Sequence, residues 1–392
     1  MPFQEIAEEW LQSLTKPTGI LKETQEEGRR KLEKVGFPSN KDESWRLTNL
    51  KSLEKVMRLP IDINKENSYE KDLPILPKKV SENVLQIFNI SSNDDINLNS
   101  FPEGIRRLDE KEISLHLKNN IQNSKSENNK AKLINESSAK VMIALHISGS
   151  NIPPLEIITP SISNSLCSTR VLLIIEEKTN LNLVQVIHGS INTAQSNFVE
   201  IKIGKDANVN HGYIALGDET STLLSNISIN QEKDSSYSLT TIQKGWGLSR
   251  IEPAIIQSNG EAKTNLKGLQ VSNGKEQLAT HSYMQFDGPN GIFDQLNKSS
   301  ANGNSHSIFN GAIKVPKIAQ QTSASQLSRN LILSKRAKID TKPELEIIAD
   351  DVKCTHGATI SQLQEEEIFY LRSRGIGSQE ANNLLLDAYY EE

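Results

Sequence analysis

The chain has 392 residues, with 44 Lys and Arg against 49 Asp and Glu, a formal net charge of −5. That balance excludes nucleic-acid binding by bulk charge, since such domains are strongly basic, and the length allows two or three units of ~150 residues or one elongated one. Only 36% of residues are hydrophobic and 5% aromatic, too few for a large conventional core, and two cysteines, Cys167 and Cys354, exclude a disulfide scaffold and a four-cysteine metal module while leaving room for one thiol ligand.

The N-terminus carries Glu5, Glu8 and Glu9 where a secretory leader needs a basic and then an apolar stretch. The longest apolar runs, such as Val171 to Ile175, fall far short of the ~20 residues that span a bilayer. The expectation is an intracellular, soluble chain without membrane contact. Phe3, Ile6, Trp10, Leu11 and Leu14 lie at helical spacing, and a second helix is expected from Ile20 to about Val35, stopped by Gly36-Phe37-Pro38. An aromatic-basic cluster follows, Glu43-Ser44-Trp45-Arg46-Leu47-Thr48-Asn49-Leu50. From about Ser91 to Ser138 the chain is rich in Asn, Lys and Ser and reads as poorly ordered surface loops with short helical pieces such as Lys111 to Leu117.

The texture changes at about Val141. Short runs with period-two alternation recur: Val141 to Ile147, Val171 to Ile175, Leu181 to Ile187, Phe198 to Ile203, Leu223 to Ile229, Ile308 to Val315, Leu331 to Leu333 and Leu345 to Ile348. No long amphipathic helix interrupts them, which argues against βαβ units. The stretch is large for an ordinary sandwich, and a β-solenoid with a thin aliphatic column fits it better. Polar-Ala turns at Ala207, Ala262, Ala312 and Ala337 hint at a coil of ~25 residues. After it comes a helical hairpin. Ser361 with Gln364 reads as a capping box, Arg372 and Arg374 fall in the last turn, and Gly375 is the C′ residue. Ser378 caps a second helix with Ala381, Leu384, Leu385 and Ala388 inward. The expected division is a helical and irregular part over 1–140, a β-solenoid over 141–352 and a helical part over 353–392.

No phosphate-binding loop, dinucleotide fingerprint or nucleophile elbow is present. The seven histidines include no His-x-x-x-His pair, and His188, His211 and His281 read as structural. Cys354-Thr355-His356 differs, because residues two apart on an extended chain face the same way and both side chains suit iron or zinc. One Cys and one His do not close a four-ligand site, so a structural role competes with a shared metal site. Asp287 and Asp294 would be needed by a carbohydrate enzyme built on the solenoid, but they read better as turn formers.

The run from Ala319 to the C-terminus resembles a known family. It carries Ala319-Gln320-Gln321-Thr322, Arg329 to Ser334, Pro343 to Ile347, Asp350 to Thr359 and Phe369 to Ile376. In this order these motifs resemble the SufB/SufD family of iron–sulfur cluster assembly proteins, and Trp45-Arg46 with Thr48-Asn49 resembles its N-terminal signature. Thr355-His356-Gly357 stands where a SufB-type chain has Glu-His-Glu, and Ser328 stands near the SufB scaffold cysteine, so the likeness is to the SufD side of the family. The resemblance implies a mainly β architecture, a right-handed parallel β-helix flanked by N- and C-terminal helices. It implies a non-catalytic scaffold subunit that pairs with a SufB-like sister through the β-helix and seats a SufC-like ABC-type ATPase on its C-terminal helices, in bacterial cytoplasm or plastid stroma. The nascent cluster would form at the heterodimer interface, with His356 as a ligand and Cys354 as a weaker candidate, and with no cofactor held stably by the lone chain. A flavin in the complex is left open, as is a homodimer of the lone chain. Leu363, Phe369, Tyr370, Arg372 and Arg374 are candidate ATPase contacts; for Leu363 and Phe369 the competing role is hairpin core, and for the arginines it is helix capping. Two other readings stand beside it, a β-helix carbohydrate-active enzyme and a purely structural solenoid.

Overall fold

The computed structural model describes residues 2–61, 84–89, 101–120 and 129–391. Helix α1 (Phe3–Ser13) buries Ile6, Ala7, Trp10 and Leu11, the face that the spacing marks. Helix α2 (Lys22–Val35) follows a 3-10 turn at Gly19–Leu21 and ends at Gly36, whose φ of 78° suits glycine. Helix α3 (Leu50–Arg58) is capped by Asn49, whose side chain accepts from the Ser52 N–H.

Of the polar stretch 91–138, residues 91–100 and 121–128 lie outside the described residues. Helix α4 (Glu110–Asn120) contains the expected Lys111 to Leu117 piece. Helix α5 (Lys130–Ser138) corrects the surface-loop reading, because it is buried along most of its length. Its polar side chains turn onto backbone acceptors: Ser137 and Ser138 bond Leu133 O and Ile134 O, and Asn135 Nδ2 reaches Thr169 O and Ser196 O. Ala131, Leu133 and Ile134 then join the core beneath α1 and α3.

The body is a parallel β-solenoid of two nine-stranded sheets. The first sheet contains β1 (Leu85–Phe88), β4 (Leu155–Thr159), β6 (Asn180–His188), β8 (Asn208–Leu216), β10 (Ser236–Lys244), β12 (Lys263–Ser272), β14 (Ile292–Ala301), β16 (Ser323–Ile332) and β18 (Lys353–Ser361). The second contains β2 (Ile105–Arg107), β3 (Val141–Ile147), β5 (Leu166–Ile175), β7 (Ala194–Ile203), β9 (Thr222–Gln231), β11 (Leu248–Gln257), β13 (Gln277–Phe286), β15 (His306–Val315) and β17 (Lys338–Ile347). From β3 onward the chain alternates between sheets, so each coil adds one strand to each. Among the described strands only β2 pairs antiparallel, with β3.

In-register partners set the repeat. Asn180, Asn208, Ser236, Lys263, Ile292, Ser323 and Lys353 stack in one column, giving steps of 27 to 31 residues rather than the expected ~25. Ala207 and Ala262 do occupy one turn position, two coils apart. Ala312, however, lies inside β15, where it pairs with Tyr283, and Ala337 precedes a strand of the other sheet. A side chain small enough for a coil corner also fits a strand, which is why the alanine register misleads. At Gly217 a Cβ would stand 2.3 Å from the Trp246 ring, so this fully buried indole needs a glycine beside it.

Helices α6 (Glu365–Ser373) and α7 (Ser378–Glu391) close the chain. The capping-box expectation fails here. Ser361 ends β18 and donates to Asn330 O, while the helix starts after Gln364 without a side-chain cap. Three acids in the first turn, Glu365 to Glu367, complement the helix dipole instead. Gly375 has the expected left-handed φ, 87°. Among the described residues no helix is long and apolar enough to cross a membrane.

Candidate functional site at the open end of the solenoid

Strand register sets three adjacent inward columns across the first sheet. One runs Leu183, His211, Leu239, Leu266, Gln295, Gln326, His356. Its neighbour on one side ends Phe293, Ala324, Cys354, and on the other Asn297, Ser328, Ala358. Gln295, Gln326, Ala324 and Ser328 are buried, whereas His356 is exposed. The difference has a simple cause: β18 is the last strand of its sheet, so no further coil covers its inward face. Residues 353–361, grouped by the sequence with the C-terminal helices, are thus a solenoid strand, and Cys354 and His356 share its core-side face.

Cys354 is partly buried and packs against the solenoid core. Burial holds its thiol above the ordinary value, only partly offset by a hydrogen bond with the Ala324 backbone. It is therefore a neutral thiol at physiological pH, poorly suited as it stands to be a nucleophile or anionic ligand. Ser328 is fully buried, and its hydroxyl receives bonds from Asn330 Nδ2 at 2.9 Å and Thr341 Oγ1 at 3.0 Å. Its oxygen belongs to an interior network and not to the exposed surface. Among the described residues no group of three or more His, Cys, Asp and Glu side chains is arranged to hold a metal ion.

The five hairpin candidates lie elsewhere. Leu363 precedes α6; Phe369 and Tyr370 on it are 72% and 57% exposed, and Arg374 stacks over the Tyr370 ring at 5.4 Å from the centroid. Arg372 lies in the last turn and Arg374 is the C-cap residue. No residue of α6 is buried, and on α7 only Ala381 is, so the expected inward set of Leu384, Leu385 and Ala388 does not form a hairpin core. What fixes the hairpin is its last turn, which the sequence did not single out. The Tyr389 carbonyl accepts from Lys298 Nζ at 2.7 Å, its hydroxyl donates to Arg329 O, and the Tyr390 hydroxyl meets Ser300 Oγ at 2.8 Å. Lys298 and Ser300 alternate with the inward Asn297 and Ser299, so the hairpin sits on the outer face of the sheet whose inner face carries His356.

The N-terminal signature is a docking element. The Arg250 guanidinium carbon stands 4.0 Å from the Trp45 ring centroid, and its Nη1 donates to Ser44 O at 2.7 Å and to His281 Nε2 at 3.0 Å. Burial, then the Arg250 charge, holds His281 well below its ordinary pKa, consistent with a neutral ring accepting that bond. Gln277 clasps the next turn, donating to Leu47 O at 2.9 Å and accepting from Asn49 N at 2.7 Å. A cavity of about 550 Å³ adjoins this cluster, with Arg250 and Glu252 already paired to each other.

These features define a class: a parallel β-solenoid with helices at both ends and an uncovered last coil. Residues 157–389 match the profile of the family described as "SUF system FeS cluster assembly, SufBD core domain". An iron–sulfur cluster assembly SufBD family protein of Synechocystis is 31% identical over 389 residues, covering 92% of this chain and 84% of the relative. Iron–sulfur cluster assembly protein SufD of Escherichia coli is 26% identical over 378 residues, covering 93% and 86%. The chloroplastic protein ABCI7 of Arabidopsis thaliana is 33% identical over 227 residues, covering 57% and 48%. The chain belongs to the SufBD family of iron–sulfur cluster assembly proteins.

Proposed function

We propose that this chain is the SufD-type, non-catalytic scaffold of a cluster assembly complex. It pairs with a SufB-like subunit through the end of its solenoid and lends the His356 imidazole to the nascent iron–sulfur cluster, which is cargo and not a resident cofactor. The observation that carries this reading is an exposed imidazole on the uncovered inward face of the terminal strand. Neutral imidazole is a good iron ligand, and the remaining donors would come from the sister chain, as the single His and neutral Cys354 thiol require. Strands β17 and β18 both end their sheets, and Ile347, Ile348 and Ile360 are exposed near them. An unpaired edge with exposed aliphatics favours a covering partner.

The SufC-like ATPase is placed on the hairpin. Phe369 and Tyr370 present aromatic surface with no core to fill, the composition of interface anchors, with Arg372 and Arg374 beside them. Leu363, which precedes the helix, is the remaining candidate contact.

Co-expression with a SufB-like partner and a SufC-like ATPase, purified by a tag on this chain, tests the reading. A three-component complex is expected; recovery of this chain alone sinks it. The His356→Ala variant is expected to keep the complex and lose cluster formation in anaerobic reconstitution, and unchanged yield would remove the ligand role.

A further inference from the structure

The column that ends at His356 changes character just before it. Its fifth and sixth members are Gln295 and Gln326, and Gln326 Nε2 donates to Gln295 Oε1 at 2.8 Å while Gln295 Nε2 donates to Ser282 Oγ at 2.8 Å. A primary amide carries its donor and its acceptor on opposite arms of one planar group. With Nε2 committed to the preceding coil, Gln326 Oε1 is the arm left free to accept from a different neighbour. That oxygen is fully buried in a residue only 2% exposed, and it has no hydrogen-bond partner.

The amide has little freedom to turn elsewhere. Across the solenoid stands Gly311, where a Cβ would lie 2.3 Å from Gln326 Nε2. A glycine there opens the slot in which the carboxamide is seated. The residue in register with Gln326 on the next strand is His356. Neighbouring strands run about 4.8 Å apart, a gap that an imidazole N–H spans. Buried acceptors are almost always satisfied, and here the in-register donor is the ring of the candidate ligand.

We propose that Gln326 is the positioning residue for His356. Its carboxamide oxygen accepts one imidazole N–H, selects the tautomer and ring plane, and leaves the other ring nitrogen aimed out of the open end. This inference rests on the reading of His356 as a ligand. It follows the general pattern in which a metal-binding histidine donates its second nitrogen to a carbonyl. The ladder Ser282–Gln295–Gln326 would then carry orientation from the solenoid interior to its last coil.

The test uses the full chain labelled with ¹⁵N-histidine, with the His356 signals identified by their loss in His356→Ala. At about pH 8, where an ordinary imidazole is neutral, long-range ¹H–¹⁵N spectra are expected to show a single tautomer. Its ring N–H should exchange with water about tenfold more slowly than an unbonded one. Gln326→Met keeps the length of the side chain and removes the acceptor, so both signatures should be lost, while Gln326→Glu, which keeps an acceptor oxygen, should retain them. A tautomer mixture in the wild type, or a spectrum that Gln326→Met leaves unchanged, overturns the proposal. The wild-type spectrum decides even where Gln326→Met fails to fold. The two readings fail separately: unchanged cluster yield in His356→Ala removes the ligand role with the spectrum intact. Cluster loss in that variant beside a free-imidazole spectrum removes only the role of Gln326.

Discussion

The early and late coils of the solenoid fill the same interior with different chemistry. On β5, β7 and β9 the inward positions are mostly aliphatic, with Val171, Leu173 and Ile175, then Val199, Ile201 and Ile203, then Ile227 and Ile229, beside one polar column of Thr169, Asn197 and Ser225. On β14 and β16 they hold Gln295, Asn297 and Ser299, then Gln326, Ser328 and Asn330, all buried. The late positions are linked coil to coil: Ser299 Oγ donates to Gln270 Oε1 at 2.8 Å, and Gln326 Nε2 to Gln295 Oε1 at 2.8 Å. Apolar burial is strong and non-directional. Hydrogen-bonded amides and hydroxyls contribute less net stability, but each has one acceptable geometry. The early coils thus draw more on apolar burial, and the late coils hold side chains in set orientations next to the last strand, on which His356 is exposed.

The largest expected effect is that of acid on a histidine buried in the early coils. His211 sits among Leu183 and Leu239 in its column, with Nδ1 2.9 Å from Tyr237 Oη, and burial pushes its pKa down to about 3. The unfolded chain takes up a proton near pH 6.5 and the folded one does not. Stability from the neutral ring is therefore complete above about pH 6.5 and is lost as pH falls toward about 3, up to an order of 5 kcal/mol at the lower end. Denaturant unfolding measured across that window should show this loss, and His211→Gln should make it shallower, with His281, also held well below its ordinary pKa, supplying the remainder. An equally steep curve in the variant would mean that other groups carry the acid sensitivity.

Next in size is the contrast between a deleted aliphatic and a deleted hydroxyl. Ile227 is fully buried on β9, and Ile227→Ala is expected to cost about 2–5 kcal/mol through lost transfer energy and a cavity. Thr280 Oγ1 accepts from both Gln243 Nε2 at 2.8 Å and Gln270 Nε2 at 2.9 Å. Thr280→Val keeps the shape and removes one of the two acceptors of each amide, which also donate to Ala279 O and Ile308 O, for about 1–3 kcal/mol. Unfolding curves with unchanged m-values check both, and a larger loss for Thr280→Val than for Ile227→Ala would reverse the account of the two halves.

This contrast also governs what can be read from the chain. Val141 to Ile147 is predicted as a strand and is β3 to the residue, because aliphatics mark its positions. Strands β10 and β14 escape notice. Ser-Tyr-Ser-Leu-Thr-Thr-Ile-Gln-Lys and Ile-Phe-Asp-Gln-Leu-Asn-Lys-Ser-Ser-Ala place Thr, Gln, Asn and Ser inward, so polarity no longer reports exposure. Helix α5 is hidden for the same reason: its serines are satisfied by the carbonyls of the preceding turn and its asparagine by strand backbone far away in sequence. Cys354 and His356 are legible through their spacing. Gln326 is not, since its link to His356 exists only once the coil length of 30 residues fixes the register.

The smallest effects lie where the N-terminal segment meets the late coils. Glu43 reaches Lys342 on β17 at 2.6 Å, the contact nearest the open end, but both side chains are solvent-exposed. Solvent and salt screen such a pair, and holding two long side chains in place offsets the attraction. Lys342→Ala should leave the melting temperature within error of wild type. The clasp further back is different, because Gln277 bonds two backbone groups of the signature turn from a nearly buried position. Gln277→Leu should cost about 1 kcal/mol per bond lost and speed amide hydrogen exchange over Trp45 to Leu53 while β3 to β9 stay protected. If Lys342→Ala opened that segment instead, the surface pair and not the buried amide would be its latch, and the last coil would be coupled to the N-terminal helices by charge.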